Sequence, residues 1–480
     1  MIRRRFVLTY KSLLRHCIAL AVAFALGLAL SQPAAFAQTG GGGTGSTIGN
    51  GATSGVSVDA EGVLSRTIVQ DPTGDLARQR VQEALGRLDQ SVAKSSPLRK
   101  VSLTRLERIL AKRIAEGQGV DDVMKNLAGL TRVEYVFCYP ETGDVVLAGP
   151  AEAWAQAPSG RMQGIVTGRP VIELADAIVA LRAFPAGGSP KKGPIIKCSI
   201  DPTQEGLARM QEFLNEFGRL LASPNQDRYI VDQLRERLGM QDISVGGVPA
   251  KTHFAQVLVE ADYRMKLIGI GLEQPPVRLK NYVDRANPAA ISRQALERWY
   301  FIPDYECVRV SEDALAMQLV GEGVRLVTEG EMVDASGHRG NGRQNPASQQ
   351  FVDAFTKAYP ALAEKSPIFA QLRNCIDLAV AAAFIQQQDY YQLAKWTPTV
   401  FASEEKYAVE TLNPPKQVES SVTAVWKGNT LVTPVSGGVE IKASEALSPT
   451  NLLEDKKEAV EKARSAVDLS RLSADQWWWD

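Results

Sequence analysis

The chain has 480 residues, of which 45% are hydrophobic and 22% are charged. This composition is that of a globular protein and excludes a disordered or collagen-like chain. Its 54 lysines and arginines balance 54 aspartates and glutamates, which argues against nucleic acid as the main partner.

The first 37 residues have the order of a secretory signal peptide. Five basic residues between Arg3 and Arg15 precede an apolar run at 17–30, and Ala35-Phe36-Ala37 supplies a small-residue cleavage site. We expect cleavage near Ala37 and export to the periplasm or beyond by the general route, with the twin-arginine route as the alternative. The processed chain keeps 49 basic residues against 54 acidic ones, and no later segment has the roughly 20 uncharged apolar residues of a membrane span.

A flexible tether rich in Gly, Ser and Thr, at 38–55, precedes a first α+β module at 56–185. Short β-forming runs around turns predict two hairpins, one at 56–64 and one at 133–148. Apolar residues at three- and four-residue steps predict helices at about 75–88, 102–116 and 172–184. Glycine and proline then accumulate at 185–194, which predicts a domain boundary.

A second module, at 195–396, alternates predicted strands and helices and therefore indicates α/β layering. Runs at 317–320 and 324–328 flank Gly321-Glu322-Gly323 and predict a hairpin with a tight glycine turn. A polar loop at 337–345 follows. The longest predicted helix starts at Ser366-Pro367 and continues to about residue 390.

A β-rich extension at 397–450 and an amphipathic helical tail at 451–480 complete the predicted order. In the tail Leu453, Val460 and Val467 recur every seven residues and form one apolar stripe. The tail ends in Trp477-Trp478-Trp479-Asp480, and we interpret its three tryptophans as a partner contact or as rings packed on the protein's own body.

Together these segments predict a mixed α and β protein, either α+β or α/β, with helix in excess. The β structure is expected as short β-hairpins beside layered helices. A C-terminal β segment and a terminal amphipathic helix complete the expected fold class.

Four cysteines remain after cleavage, at Cys138, Cys198, Cys307 and Cys375. Their apolar neighbours favour buried free thiols. The alternative is a disulfide, for which Cys138 and Cys198 are the candidate pair because each lies in a short β-forming run. No spacing matches a zinc or redox motif, so we expect neither a metal nor a cofactor.

Glycan hydrolysis needs only two suitably spaced carboxylates and has no compact sequence signature. The weak catalytic candidates are the acids near Trp299, Tyr300 and Tyr305, namely Asp304, Glu306, Glu312 and Asp313. The same residues also suit an ordinary strand edge and turn. No GxSxG elbow or P-loop is present in the sequence.

Other charged residues have structural and functional interpretations. Glu260 with Arg264, and Asp262 with Lys266, are four residues apart in the orientation that supports a helix. The basic residues at 94–113, with only Glu107 among them, could dock an anionic envelope polymer or simply form a solvated helix face. His253 and His338 are interpreted as packed or surface residues.

Several short motifs carry a resemblance to a known family. They are YVFCYPETGD at 135–144, AGPAEAW at 148–154, GVPA at 247–250, EADYRMK at 260–266, GLE at 271–273, RWYFIP at 298–303 and LRN at 372–374. In these motifs the chain resembles a family of secreted proteins from planctomycete-type bacteria that is known only as a domain of unknown function. The resemblance spans about 56–396 and implies export, but no activity, substrate or catalytic residue.

The sequence therefore favours a secreted, non-enzymatic protein that binds or organises an unknown protein or polymer of the cell envelope. The alternative is a secreted glycan hydrolase that uses two carboxylates. No sequence feature identifies the ligand.

Overall fold

The computed structural model describes residues 53–188, 193–217, 227–287, 295–426, 430–432, 434–467, 469 and 472–480. The predicted signal peptide at 1–37 and most of the tether lie outside the described residues. So do residues 189–192 of the predicted domain boundary.

The strands, in chain order, are β1 (Thr53–Val58), β2 (Val63–Val69), β3 (Ser96–Ser102), β4 (Tyr135–Tyr139), β5 (Asp144–Ala151), β6 (Trp154–Gln156), β7 (Met162–Gly164), β8 (Ile196–Pro202), β9 (Met240–Gly246), β10 (Ala295–Pro303), β11 (Val308–Val310), β12 (Ala316–Leu319), β13 (Val324–Val333), β14 (Arg339–Asn341), β15 (Gln417–Glu419), β16 (Ala424–Trp426), β17 (Thr430–Val432), β18 (Val435–Ile441), β19 (Leu453–Glu454) and β20 (Trp478–Trp479).

The α-helices are α1 (Asp75–Arg87), α2 (Gln90–Ala93), α3 (Leu103–Ala115), α4 (Asp122–Lys125), α5 (Leu174–Ala183), α6 (Gln204–Phe217), α7 (Asp227–Leu238), α8 (His253–Gly269), α9 (Tyr282–Arg285), α10 (Pro346–Lys365), α11 (Pro367–Gln387), α12 (Tyr390–Leu393), α13 (Ala443–Ala446) and α14 (Ala459–Ser465).

Most of the strands belong to two large sheets. One has nine strands in the order β1-β2-β15-β9-β8-β18-β10-β13-β14, and the other has seven in the order β19-β11-β12-β4-β5-β3-β20. The fold is mixed α and β as predicted, but the expectation of helix in excess with β structure confined to short hairpins is wrong. Strands from distant parts of the chain pair with one another, which the local hydrophobic pattern does not reveal.

Two predicted hairpins are confirmed and one is wrong. β1 pairs with β2, and β4 pairs with β5, both antiparallel. The runs around Gly321-Glu322-Gly323 do not pair with each other, because β12 pairs with β4 and β11 while β13 pairs with β10. This turn therefore carries the chain from one sheet to the other.

The two predicted modules share both sheets. In the nine-stranded sheet, β2 of the first module is connected to β9 of the second module through β15. In the seven-stranded sheet, β4 of the first module pairs with β12 of the second. Within the predicted polar loop at 337–345, Arg339–Asn341 forms the edge strand β14 beside β13. The domain boundary predicted at 185–194 stays a prediction, which limited proteolysis would test by cleavage in that segment.

The nine-stranded sheet has one buried face and one that is partly exposed. Along β8 buried and more exposed residues alternate, with Ile196, Cys198 and Ile200 buried as expected for a strand half covered by helices. α8 packs on β8, β18 and β10, and α10 packs on β13. On this covered face the Phe301 ring lies 5.7 Å from that of Phe355.

Helix α11 lies in the centre of the protein, and every residue from Ile368 to Gln386 is buried. It is long and apolar enough to cross a membrane, but its whole apolar window is buried inside the protein, as in the core helix of a soluble domain. Among the described residues it is the one helix that passes this test of length and composition. A run of about 20 uncharged apolar residues was not expected, and α11 includes the charged residues Arg373 and Asp377.

The predicted helical ion pairs on α8 are confirmed, and both are buried rather than solvated. Arg264 Nη1 lies 3.8 Å from Glu260 Oε1, and Lys266 Nζ lies 2.8 Å from Asp262 Oδ2. The Lys266 ammonium also donates to the carbonyl oxygens of Ile200 on β8 and Gly437 on β18, at 2.8 and 3.1 Å. Three acceptors thus satisfy the three donors of this buried cation, which joins α8 to two central strands.

Replacing Lys266 by methionine should destabilise the protein by about 3–5 kcal/mol, because the Asp262 carboxylate and two strand carbonyls would stay buried without their cation. Chemical denaturation measures the free energy of unfolding. The matched control is Lys357→Met, at an exposed position of α10, which should change it by less than about 0.5 kcal/mol. Equal effects of the two substitutions would contradict the structural role of Lys266.

The seven-stranded sheet is buried on both sides. α3 packs on β5 and α14 on β12, and every residue of β5 except Pro150 is buried. Continuous apolar strands such as Val145–Leu147 follow from this double coverage.

The predicted terminal amphipathic helix is wrong. Between residues 451 and 480 the described helix is confined to Ala459–Ser465. The short strand β19 precedes this helix in the chain, and β20 follows it. β20 pairs antiparallel with β3, with Trp478 opposite Val101 and Trp479 opposite Lys100. Without β20, the backbone groups on the outer edge of β3 would have no strand partner. Residues 478–479 pair with them as a strand, which a helix cannot do.

The tryptophans pack on the protein's own body, the second of the two interpretations given above. Trp477 and Trp479 are only 7% and 9% exposed, and the guanidinium of the fully buried Arg99 lies 4.7 Å from the Trp478 ring centre. Arg99 also pairs with the Asp480 carboxylate at 2.8 Å. These contacts make residues 477–480 part of the folded unit.

Trp479→Ala should therefore lower the free energy of unfolding by about 3–5 kcal/mol, since it removes a large buried side chain. Trp478→Ala is the control and should cost less, because its ring is only partly buried; the lost contact with Arg99 is worth about 1 kcal/mol. Thermal or urea unfolding compares the two variants. A Trp479→Ala protein as stable as Trp478→Ala would show that this segment is not packed.

Candidate functional site

The partly exposed face of the nine-stranded sheet is the first candidate site, and we call it the open face. It is covered by α6, α7 and β16 only at one end, where Leu296 and Val333 join their apolar cluster. Over the rest of the sheet its residues are Lys197, Ser199 and Asp201 of β8, Asp242 and Ser244 of β9, Arg298, Tyr300 and Ile302 of β10, Arg325, Val327 and Glu329 of β13, and Glu440 of β18. The register places Ser436 and Gly438 of β18 on the same side of the sheet, where both are buried.

Small residues form the floor of the open face. The strand register places Ser244, Ser199, Gly438 and Tyr300 side by side across four strands. The two serine hydroxyls lie 2.8 Å apart. A Cβ atom on Gly438 would come within 1.9 Å of the Cys198 carbonyl oxygen, so only glycine fits there. Tyr300 therefore borders a shallow polar strip.

Tyr300 is held by a charged pair of the neighbouring rung. The Arg298 guanidinium lies 4.5 Å from the centre of the Tyr300 ring and pairs with Glu329 at 2.6 Å. The Tyr300 hydroxyl donates to the other Glu329 oxygen, also at 2.6 Å. This hydrogen bond, with Arg298, lowers the pKa of Glu329, while burial and the neighbouring carboxylate raise that of Tyr300.

A second charged group closes the β14 edge of the open face. Arg339 pairs with Asp201 at 2.9 Å and with Glu331 at 2.6 Å, and it donates to the Ser436 hydroxyl. Burial opposes ionisation of Asp201, but Lys266 and Arg339 outweigh it and lower its pKa. Beside this group a depression of about 500 Å³ lies between β13 and β14. Its size is that of a small-ligand pocket, and its lining is polar.

The acids predicted as weak catalytic candidates are distributed around β11. Asp304 and Glu306 precede this strand, and Glu312 and Asp313 follow it. Asp304 lies 3.9 Å from Arg325. Asp313 accepts hydrogen bonds from Ser311 and Leu315 in its turn, where they and Arg464 outweigh burial and lower its pKa. Asp313 is thus engaged in shaping a turn.

The aromatic residues near these acids divide between the two faces of the sheet. Trp299 points into the core, where its indole donates to Ser348 at 2.6 Å and its ring lies 4.8 Å from Phe351. Tyr300 faces the open side, and half-buried Tyr305 lies near Glu445 and Tyr300, which with burial raise its pKa. Alternation along β10 explains this division.

A second polar cluster surrounds His253 at the start of α8. His253 Nδ1 lies 2.8 Å from Asp176 Oδ2 on α5, and Nε2 lies 3.8 Å from Glu173 and 3.3 Å from Gln371 Nε2. The side chain of His253 is 24% exposed. Burial disfavours its charged form, but Asp176 and Glu173 outweigh burial and raise the pKa of His253 to about 10. The imidazole is therefore an imidazolium between two carboxylates at neutral pH.

This cluster continues into the protein as a chain of paired side chains. Arg161 donates to Gln371 at 2.8 Å and pairs with Glu260, and Arg264 pairs with Glu273 at 2.5 Å. The chain connects α5, α8, α11 and the β6–β7 hairpin. Most of its charged groups are paired with one another, although Asp176 Oδ1 and Glu273 Oε2 are buried without a hydrogen-bond partner. Because the pairs join several elements, we assign the cluster a structural role.

The charged state of His253 should make stability depend on pH. An unfolded histidine has a pKa of about 6.5, so between about pH 6.5 and pH 10 the folded protein holds a proton that the unfolded chain has lost. The stabilisation from the His253 charge is complete below about pH 6.5 and is lost as the pH rises towards 10. The free energy of unfolding should fall by at most about 1.4 kcal/mol per pH unit in this range. Urea denaturation at pH 7, 8, 9 and 9.5 measures it.

His253→Gln should flatten this pH dependence. The matched control is His338→Gln, because the side chain of His338 is 66% exposed. This substitution should leave the pH dependence of stability as in the wild type. Identical slopes for the wild type and His253→Gln would contradict the assigned charge.

The cysteines are buried free thiols, one of the two interpretations of the sequence. Cys138 lies on β4 of the seven-stranded sheet and Cys198 on β8 of the nine-stranded sheet, and all four described cysteines are unpaired with one another. Burial raises the pKa of Cys138 and Cys307 to about 12, so these thiols are unreactive. Within the described residues no group of three or more His, Cys, Asp or Glu side chains is placed to hold a metal ion.

The basic residues at 94–113 contact the protein's own last segment. Besides Arg99, Arg105 pairs with Asp144 at 2.8 Å and donates to the Ser473 carbonyl, while Arg108 donates to the Ala474 carbonyl at 2.9 Å. Most of this predicted polymer-binding face is thus engaged internally. The lone acid of the stretch, Glu107, had no predicted role, although its isolation among basic residues was a visible signal.

Comparison with known proteins gives one match. The family described as protein of unknown function (DUF1598) matches residues 198–282, which run from within β8 through α8 to the first residue of α9. The motifs at 247–250, 260–266 and 271–273 lie inside this match, and those at 135–154, 298–303 and 372–374 lie outside it. No curated protein and no solved structure matches the chain.

Proposed function

We propose that this chain is an exported, non-enzymatic protein of the cell envelope that binds an uncharged polysaccharide along the open face. The observation that carries the proposal is the composition of that face. A strip of serine and glycine runs across the strands to an immobilised tyrosine, with hydroxyl, carboxylate and guanidinium groups on both sides. Such a strip offers the hydrogen-bonding groups and the ring that a sugar chain requires.

The charge distribution supports an uncharged ligand. Arg298 pairs with Glu329, Arg339 with Asp201 and Glu331, and Lys442 with Glu440 at 2.6 Å. Because these charges are matched locally, neither an anionic nor a cationic polymer gains a large electrostatic attraction. Hydroxyl groups of a neutral sugar can still exchange hydrogen bonds with half-exposed carboxylates and guanidinium groups.

Two further observations support the proposal. The order of basic, apolar and small residues at 1–37 supports export. Two strands of the floor, β8 and β9, lie almost wholly within the matched stretch at 198–282, so the family match includes Ser199 and Ser244.

Affinity electrophoresis of the purified protein through gels with xylan, mannan or a soluble β-glucan tests the proposal. We expect at least one of these polymers to retard the protein, and Tyr300→Ala to weaken binding about tenfold through loss of a ring worth about 1.4 kcal/mol. The matched control is Tyr229→Ala, because Tyr229 is exposed on α7 away from the floor. No retardation by any uncharged polymer, or equal retardation of Tyr300→Ala, would overturn the binding site.

Two measurements address the remaining parts of the proposal. Release of reducing ends from a retarding polymer would favour the hydrolase alternative over a binding protein. Sequencing the secreted protein should give Gln38 as its first residue, whereas an exported chain that begins at Met1 would contradict the cleaved leader.

A further inference from the structure

A groove of about 460 Å³ lies between helix α3 and the segment that follows α12. Its lining includes Thr104 and Arg108 on α3 and Lys395, Trp396, Thr397 and Thr399 on the opposite side. The volume lies within the range of small-ligand sites. The groove lies beside the seven-stranded sheet and uses none of the open-face residues.

The floor of the groove is fixed by a buried carboxylate. Glu107, which is 5% exposed, accepts hydrogen bonds from Trp396 Nε1 at 2.6 Å and from the backbone N–H groups of Val400 and Phe401 at 2.6 and 2.9 Å. The Trp396 ring also lies 5.2 Å from that of Tyr391. Both Glu107 oxygens are engaged, so this acid organises the segment 396–401.

The backbone presents Lys395 at the mouth of the groove in an unfavourable conformation. Lys395 has a φ of 50°, in the left-handed region that costs a residue with a side chain roughly 1–2 kcal/mol. Its side chain is exposed, and among the described residues no ion pair involves it. The conformation ends helix α12, because Lys395 N–H donates to the Gln392 carbonyl at 3.0 Å and Trp396 N–H donates to the Tyr391 carbonyl at 2.7 Å. It places the Lys395 side chain at the mouth of the groove.

The charge at the mouth is positive. Arg108 uses one N–H group to bind the Ala474 carbonyl, which leaves further donors for a ligand. The nearby Asp144 is paired with Arg105, and Glu107 is buried beneath three donors. Thr397 and Thr399 on one wall supply additional hydroxyl groups, while the Thr104 hydroxyl on the other wall contacts Ser102 and Asp144.

We propose that this groove binds the oxyanion group, carboxylate or phosphate, of an envelope polymer, with Lys395 and Arg108 as its cationic contacts. The two cations approach from opposite walls, so an anionic group between them would receive charge-assisted hydrogen bonds from both sides. The threonine hydroxyls would contact the flanking units of the polymer. This site is separate from the proposed polysaccharide face, although the choice of an envelope polymer as its ligand rests on the export proposed above.

Fluorescence titration of the purified protein tests the groove with two probes, an oligogalacturonate for carboxylates and a polyphosphate for phosphates. Trp396 in the groove wall contributes to the tryptophan signal. We expect one probe to bind, with an affinity that falls as salt is raised because the contact is between exposed charges. The probe that binds identifies the source of the oxyanion.

Lys395→Asn is the decisive variant, because asparagine tolerates the left-handed conformation and removes the cation. It should weaken probe binding about tenfold, the effect of losing one charge-assisted hydrogen bond, and leave the melting temperature unchanged. The matched control is Lys406→Asn, at an exposed position in the same region of the chain, which should bind as the wild type does.

Two results would overturn the proposal. One is the absence of binding by both probes at low salt. The other is equal affinity of Lys395→Asn and Lys406→Asn. Retardation by uncharged polysaccharides bears only on the open face, so the two sites fail or succeed independently.

Discussion

The buried ammonium of Lys266 is the interaction on which the nine-stranded sheet depends. An unpaired buried cation would cost several kcal/mol, so α8 must bring Lys266 to the two strand carbonyls and to Asp262 together. One of those carbonyls belongs to Gly437, whose φ of 127° is open only to glycine. A Cβ atom there would lie 1.7 Å from the Trp299 carbonyl oxygen. The covered side of the sheet thereby fixes β18, and with it the Ser436 and Gly438 positions of the open face.

Local patterns predicted the local elements. Features that depend on residues close together in the sequence were predicted correctly. They are the hairpins β1–β2 and β4–β5, the start of α11 at Ser366-Pro367 and the two ion pairs of α8. The strand order did not follow, because β8 has β18 as one neighbour and nothing in either strand specifies the other. The predicted hairpin at Gly321-Glu322-Gly323 failed for this reason: a glycine turn joins two strands of alternating pattern equally well when they belong to different sheets.

The candidate sites show the same limit. Tyr300 and Tyr305 were noticed because aromatics beside acids suit sugars, yet Trp299 belongs to the core, a division that the period of two in a strand could have predicted. Ser199, Ser244 and Gly438 carry no motif, since their importance comes from register alone. Lys395 was invisible because its left-handed backbone ends the short helix α12, where Lys395 N–H donates to the Gln392 carbonyl and Trp396 N–H to the Tyr391 carbonyl. The basic residues at 94–113 were interpreted as a polymer-docking face or a solvated helix face, and three of them, Arg99, Arg105 and Arg108, contact residues 473–480 instead.

The pairing of β20 with β3 has a consequence for how the protein folds. Arg99 and Asp480 are 381 positions apart, so the β20 edge of the seven-stranded sheet forms only after the residues up to Asp480 have been made. Contacts of such high sequence separation slow folding, because a long loop must be closed before the contact is gained. Until then β3 presents an unpaired edge, which in a newly synthesised chain is a site for mispairing. The pairing of Trp478 and Trp479 with β3 thus removes this exposed edge at a late stage of folding.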